Sequence, residues 1–143
     1  MDRIDRKKLI KRLIFLILFI FIMSFIADRF YWYFSIWYFD MFMHFIGGFW
    51  IGLVSFYLFF TFNKNSFLDF NALTLKFVLK ILVCVLLIGI CWEVFEILVN
   101  SVTIQDSFNY LDTFSDILFD LSGGAFATLY LMKRIILVKE NKV

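Results

Sequence analysis

Four apolar runs, residues 13–27, 41–62, 77–99 and 117–132, account for more than half of this chain and dictate its class. Each is close to the roughly 20 residues a helix needs to cross the hydrocarbon of a bilayer. Backbone groups inside lipid must pair within their own segment, so such runs become helices. The chain is 63% hydrophobic, against about 45–50% apolar residues in soluble domains. It has no proline and 22 phenylalanines. The fold class read from these features is all-α: a polytopic membrane bundle of four transmembrane helices forming a single domain over residues 1–143. The first and last runs are short, and Lys11, Arg12, Lys133 and Arg134 can snorkel to lengthen them.

Basic residues set the orientation. Arg3, Arg6, Lys7, Lys8, Lys11 and Arg12 precede the first run; Arg29 alone separates the first from the second. Lys64, Lys76 and Lys80 follow the second, none lies between the third and fourth, and Lys133, Arg134, Lys139 and Lys142 come last. Cytoplasmic segments carry the excess of Lys and Arg, so both termini and the middle loop are expected in the cytoplasm. The localisation implied is a membrane, multi-pass. The basic start followed by an apolar run has the outline of a signal peptide, but no small-x-small cleavage site follows it.

Segment 30–39 is almost entirely aromatic and fits a belt at the outer interface, lying flat or dipping in as a short helix. Loop 63–76 mixes polar and apolar residues and is expected to rest on the inner surface. Loop 100–115 is polar and free of Lys and Arg. Cys84 and Cys91 are two helical turns apart, about 10.5 Å, too far for a bridge within one helix. They read as small packing residues. Phosphate-binding loops, dinucleotide fingerprints and nucleophile elbows are absent, and the basic N-terminus is a topology signal with no nucleic-acid role.

The chemistry lies in the ionisable residues on the apolar runs. His44 is the only histidine in the chain, and it follows Asp40 by one helical turn. Glu93 and Glu96 lie on the third run, and Asp116 and Asp120 at the start of the fourth. An ionisable group costs about 2.5–3.5 kcal/mol or more at the centre of a bilayer, so such residues usually mark function. Counted from the ends of their helices, His44 and Asp120 lie about 6 Å in from the outer face, and Glu93 and Glu96 about 20 and 24 Å across from Lys80. All fall in the outer third. Rotation agrees: Asp40, His44, Gly48 and Ser55 share one face, Gly89, Glu93, Glu96 and Asn100 a second, and Asp112, Asp116, Asp120, Gly123 and Ala127 a third. Small residues on each stripe permit close helix packing. The expectation is a polar pocket in the outer half of the membrane, its candidate catalytic residues His44, Glu93, Glu96, Asp116 and Asp120. As candidate metal ligands, His44, Glu93, Asp116 and Asp120 suit a divalent ion. A proton-sharing carboxylate network with His44 as base is the competing reading, and interhelical hydrogen bonding the purely structural one.

Asp40-x-x-x-His44-Phe45, Trp92-Glu93-x-x-Glu96 and Asp112-Thr-x-x-Asp116-x-x-x-Asp120-x-x-Gly123-Gly124 resemble the three signatures of VanZ-like membrane proteins. Their order and spacing are similar to the YjdF-like family of bacterial inner-membrane proteins, over about residues 38–131. VanZ-like proteins often carry Gln where Glu96 stands, and an Arg before the late Asp that is missing here. The resemblance implies a location in the bacterial plasma membrane and a cell-envelope role. Three functions then compete: a membrane enzyme or lipid-handling protein receiving a lipid headgroup or lipid-linked envelope intermediate, a proton or cation transport component, and a non-catalytic scaffold subunit.

Overall fold

A computed structural model of the chain describes residues 3–62, 75–103 and 109–140. Among the described residues the architecture is all helical: α1 (Arg3–Phe30), α2 (Trp32–Ser35), α3 (Phe39–Phe62), α4 (Leu75–Thr103) and α5 (Tyr110–Glu140). Three of them, over Lys7–Phe30, Phe39–Phe59 and Leu75–Val99, are long and apolar enough to cross a membrane. In α5 the apolar stretch is shorter, because Asp112, Asp116 and Asp120 occupy its first turns.

The helices overrun the apolar runs. α1 begins at Arg3 instead of residue 13, and loop 100–115 shrinks because α4 continues to Thr103 and α5 starts at Tyr110. Hydropathy marks the bilayer and not the helix end, and polar residues with local hydrogen bonds carry a helix beyond the apolar stretch. Here Ser101 Oγ donates to Leu98 O, and Asn109 begins α5 by accepting from the Leu111 N–H at 3.2 Å. The expected surface segment 63–76 falls mostly outside the described residues; Leu75 and Lys76 open α4.

The aromatic segment turns sharply. Tyr31 adopts φ 58°, a left-handed conformation that separates α1 from α2. Trp32, Tyr33 and Ile36 then pack on buried Ala27, Phe39 and Met43. Phe34, Trp37 and Tyr38 stay exposed. The segment is thus half docked and half free, a short helix with an open aromatic face.

The largest interface joins α3 to α5, with α4 packed against both. The first contact is glycine on backbone: a Cβ on Gly48 would fall on the Asp120 carbonyl, and one on Gly123 on the Phe45 carbonyl. One turn on, a Cβ at Gly52 would stand 2.9 Å from that of Ala127. Side chains larger than hydrogen would force the helices apart, which is the membrane use of small residues. The main core lies farther along, where Leu53, Phe56, Ile81, Val85, Ala127 and Leu131 meet Leu9 and Leu13 of α1. Arg12 donates to the Tyr130 hydroxyl at 2.7 Å, and the Trp50 indole donates to the Leu13 carbonyl at 2.9 Å. The start of α1 and the end of α5 therefore share one end of the bundle. Large apolar side chains such as Phe15, Phe21, Phe25, Leu87, Phe95 and Leu129 face outward. That distribution suits a helical bundle in lipid, where outward apolar surface is solvated.

Candidate functional site

At the other end of the bundle His44 is the hub of an acidic cluster. It sits in the second turn of α3 and is 6% exposed. Its Nδ1 faces Asp120 Oδ2 of α5 at 3.4 Å, a long hydrogen bond. Its Nε2 faces Asp40 Oδ1 of its own helix at 3.8 Å and Glu93 Oε1 of α4 at 3.7 Å. Asp40, His44 and Asp116 each offer a ligand atom within 4.8 Å of the others, and so do His44, Glu93 and Glu96. All five residues singled out from the sequence, His44, Glu93, Glu96, Asp116 and Asp120, thus lie around one imidazole.

Helix geometry explains the convergence. Asp40 and His44 are one turn apart on α3, as Asp116 and Asp120 are on α5. The Gly48–Gly123 crossing brings these turns together and leaves the carboxylate of Asp120 between α3 and α4. Asp120 Oδ1 lies 3.9 Å from where a Gly47 Cβ would stand, and Oδ2 2.6 Å from that of Gly89. Gly89 therefore makes room for the carboxylate from the third side.

Electrostatics is uneven around the cluster. α3 and α5 both begin near it, so their partly positive N-terminal ends favour Asp40, Asp112 and Asp116. α4 points its C-terminal end the same way and offers Glu93 and Glu96 no such help. Among the described residues the only ion pairs made by these acids are with His44. Carboxylates this close repel one another unless protons or a cation intervene.

Burial grades from one end to the other. Glu93, Asp116 and Asp120 are buried, Glu96 is half-buried, and the Asp40 side chain is 27% exposed. Thr113, beside Glu93, and Ser115, whose hydroxyl contacts Asp116 Oδ1 at 3.5 Å, form a half-buried polar rim. Past Gly89 the cluster is closed by Val85, packed on Gly124, and by the apolar core beyond it. The buried Thr128 hydroxyl there is spent on the Gly124 carbonyl. Cys84 and Cys91 are free thiols, Cys91 on the exposed surface.

Asp40 shares the His44 face but lies outside the five residues expected to form the site, and it comes about as close to His44 Nε2 as Glu93 does. Its spacing of four residues from His44 was the available signal. Gly89 as the seat of the Asp120 carboxylate was not legible, because it depends on the distance between two helices.

No curated protein and no solved structure matches the chain. A family described as predicted membrane protein (DUF2238) matches residues 2–135, and the chain belongs to that family.

Proposed function

We propose that the protein is a four-span protein of the bacterial plasma membrane, both termini cytoplasmic, with α5 as the fourth span. Its pocket receives a lipid headgroup or lipid-linked cell-envelope intermediate at the outer leaflet. The resemblance to VanZ-like and YjdF-like proteins supports an envelope role. The observation that carries the reading is the convergence of carboxylates from three helices on one buried imidazole beneath a polar rim. Interhelical hydrogen bonds contribute only about 0.6 kcal/mol each on average, too little to explain so many acids with so few donors.

A conduction pathway is the weaker reading. Leu53, Phe56, Ile81, Val85 and Ala127 form a packed apolar layer between the cluster and the opposite end. In the favoured reading His44 and one of Glu93 or Glu96 act on or hold the headgroup, and Asp116 and Asp120 support them.

Native mass spectrometry of the purified wild type, His44→Ala and Glu93→Gln tests this. A specific lipid retained by the wild type and lost by folded variants supports the reading. Identical lipid retention in all three overturns it.

A further inference from the structure

Glu93 holds what packing alone leaves unexplained. Its side chain is 8% exposed, and its Oε1 is wholly buried without a hydrogen-bond partner. Buried polar atoms are nearly always satisfied, and a buried carboxylate oxygen without a donor is costly. Oε1 points at His44 Nε2 from 3.7 Å, beyond hydrogen-bond range. Asp40 Oδ1 points at the same nitrogen from 3.8 Å. Two oxygens from two helices thus face one ring nitrogen from beyond hydrogen-bond distance. Ligands bound to one ion at about 2.0–2.2 Å stand about 3–3.5 Å from one another. The gap is a few tenths of an ångström wider than such a shell.

The other ring nitrogen is used differently. Nδ1 faces Asp120 Oδ2 at 3.4 Å, and that carboxylate is wedged against the Gly89 position. Metal-bound histidines almost always give their second nitrogen to a carboxylate, carbonyl or water, which fixes the tautomer and the ring plane. The arrangement of one nitrogen toward a seated carboxylate, and one toward the unpartnered Glu93 oxygen, matches that division.

We infer that the pocket is a mononuclear divalent-cation site in which His44 Nε2, Glu93 and Glu96 are ligands. Asp40 and Asp116 form a separate group with His44 at ligand spacing and flank the ion. Asp120, counted among the candidate ligands from sequence, is instead a positioning residue acting on His44 through Nδ1. The mixed nitrogen and oxygen set selects Mn²⁺, Fe²⁺ or Zn²⁺ over Ca²⁺ and Mg²⁺, which prefer oxygen alone. This deepens the pocket reading above and rests on it: a bare acidic pocket repels a headgroup phosphate, whereas a held cation with an open position attracts one.

The test titrates Mn²⁺ alone into the metal-stripped full-length protein in detergent. Free Mn²⁺ is followed by electron paramagnetic resonance, and coordinated nitrogen by its hyperfine modulation. One Mn²⁺ per chain with a nitrogen coupling is expected. Glu93→Gln and Glu96→Gln should each weaken binding at least tenfold, with unfolding temperature measured alongside. Asp120→Asn should weaken it by about 10- to 100-fold yet keep the nitrogen coupling. His44→Gln should lose the coupling, and Asp28→Asn, on the exposed end of α1, should change nothing. Glu96 is half-buried, so its variant keeps the test decisive if the buried variants do not fold. Absence of Mn²⁺ binding by the folded wild type, binding unaffected by Glu96→Gln, or binding without nitrogen coupling overturns the inference. If lipid retention still depends on His44 in that case, the headgroup reading stands while the cation falls.

Discussion

The Asp120 carboxylate occupies the space that a side chain would take at Gly89: a Cβ there would lie 2.6 Å from Oδ2. The same oxygen faces His44 Nδ1 at 3.4 Å. One glycine hydrogen on α4 therefore holds the α5 acid against the α3 imidazole, and the cluster depends on three helices at once.

Gly89→Ala is expected to displace Asp120 from His44 and to cost about 1–3 kcal/mol, the usual range for overpacking. Gly48→Ala should cost more, since its methyl would meet the backbone of Asp120, which cannot rotate away as a carboxylate can. Thermal unfolding in detergent checks both. Equal stability of Gly48→Ala and wild type would refute the close α3–α5 crossing.

Glu93→Gln separates site from packing. The substitution keeps shape and removes a charge that has no hydrogen-bond partner at Oε1. Stability should stay within about 1 kcal/mol of wild type or rise, since the substitution also relieves repulsion among the crowded carboxylates. An envelope phenotype, such as sensitivity to glycopeptides or membrane stress, should be lost all the same. A retained phenotype at unchanged stability would assign Glu93 to packing alone.

Trp50→Phe should loosen α1. The indole of Trp50 donates to the Leu13 carbonyl at 2.9 Å, tying α3 to a helix that is otherwise largely exposed. Loss of a single hydrogen bond is expected to cost about 0.5–1.5 kcal/mol. Hydrogen exchange should report faster opening of α1 with the α3–α5 contact unaffected. Unchanged exchange in α1 would show that the Leu9 and Leu13 packing holds it without the bond.

Side-specific reporters test topology. Fusions at either terminus should report the cytoplasm, and a fusion after Asp106 the outside. The Arg12–Tyr130 bond already places the start of α1 and the end of α5 together. A cytoplasmic signal from Asp106 would invert the bundle and put the acidic cluster near the inner leaflet.

Much of the site was legible because a helix is periodic. The spacings Asp40–His44, Glu93–Glu96 and Asp116–Asp120 each put two groups on one face, and counting 1.5 Å per residue put them at one depth. Helix ends were less legible: Asn109 begins α5 and α4 runs on to Thr103, well outside the apolar runs, because a helix can continue in water where hydropathy is silent.

The sequence alone determined the class, the apolar helices and the faces that carry the acids, because the bilayer enforces internal backbone pairing and penalises every misplaced charge. Only the tertiary structure decided which ring nitrogen of His44 meets which acid. It also decided that Asp120 is seated by Gly89 and that Glu93 Oε1 is left without a donor. Those facts follow from the distance and crossing of α3, α4 and α5, set by glycine on backbone at Gly48 and Gly123. A helical repeat specifies direction around one axis and contains no information about the separation between two.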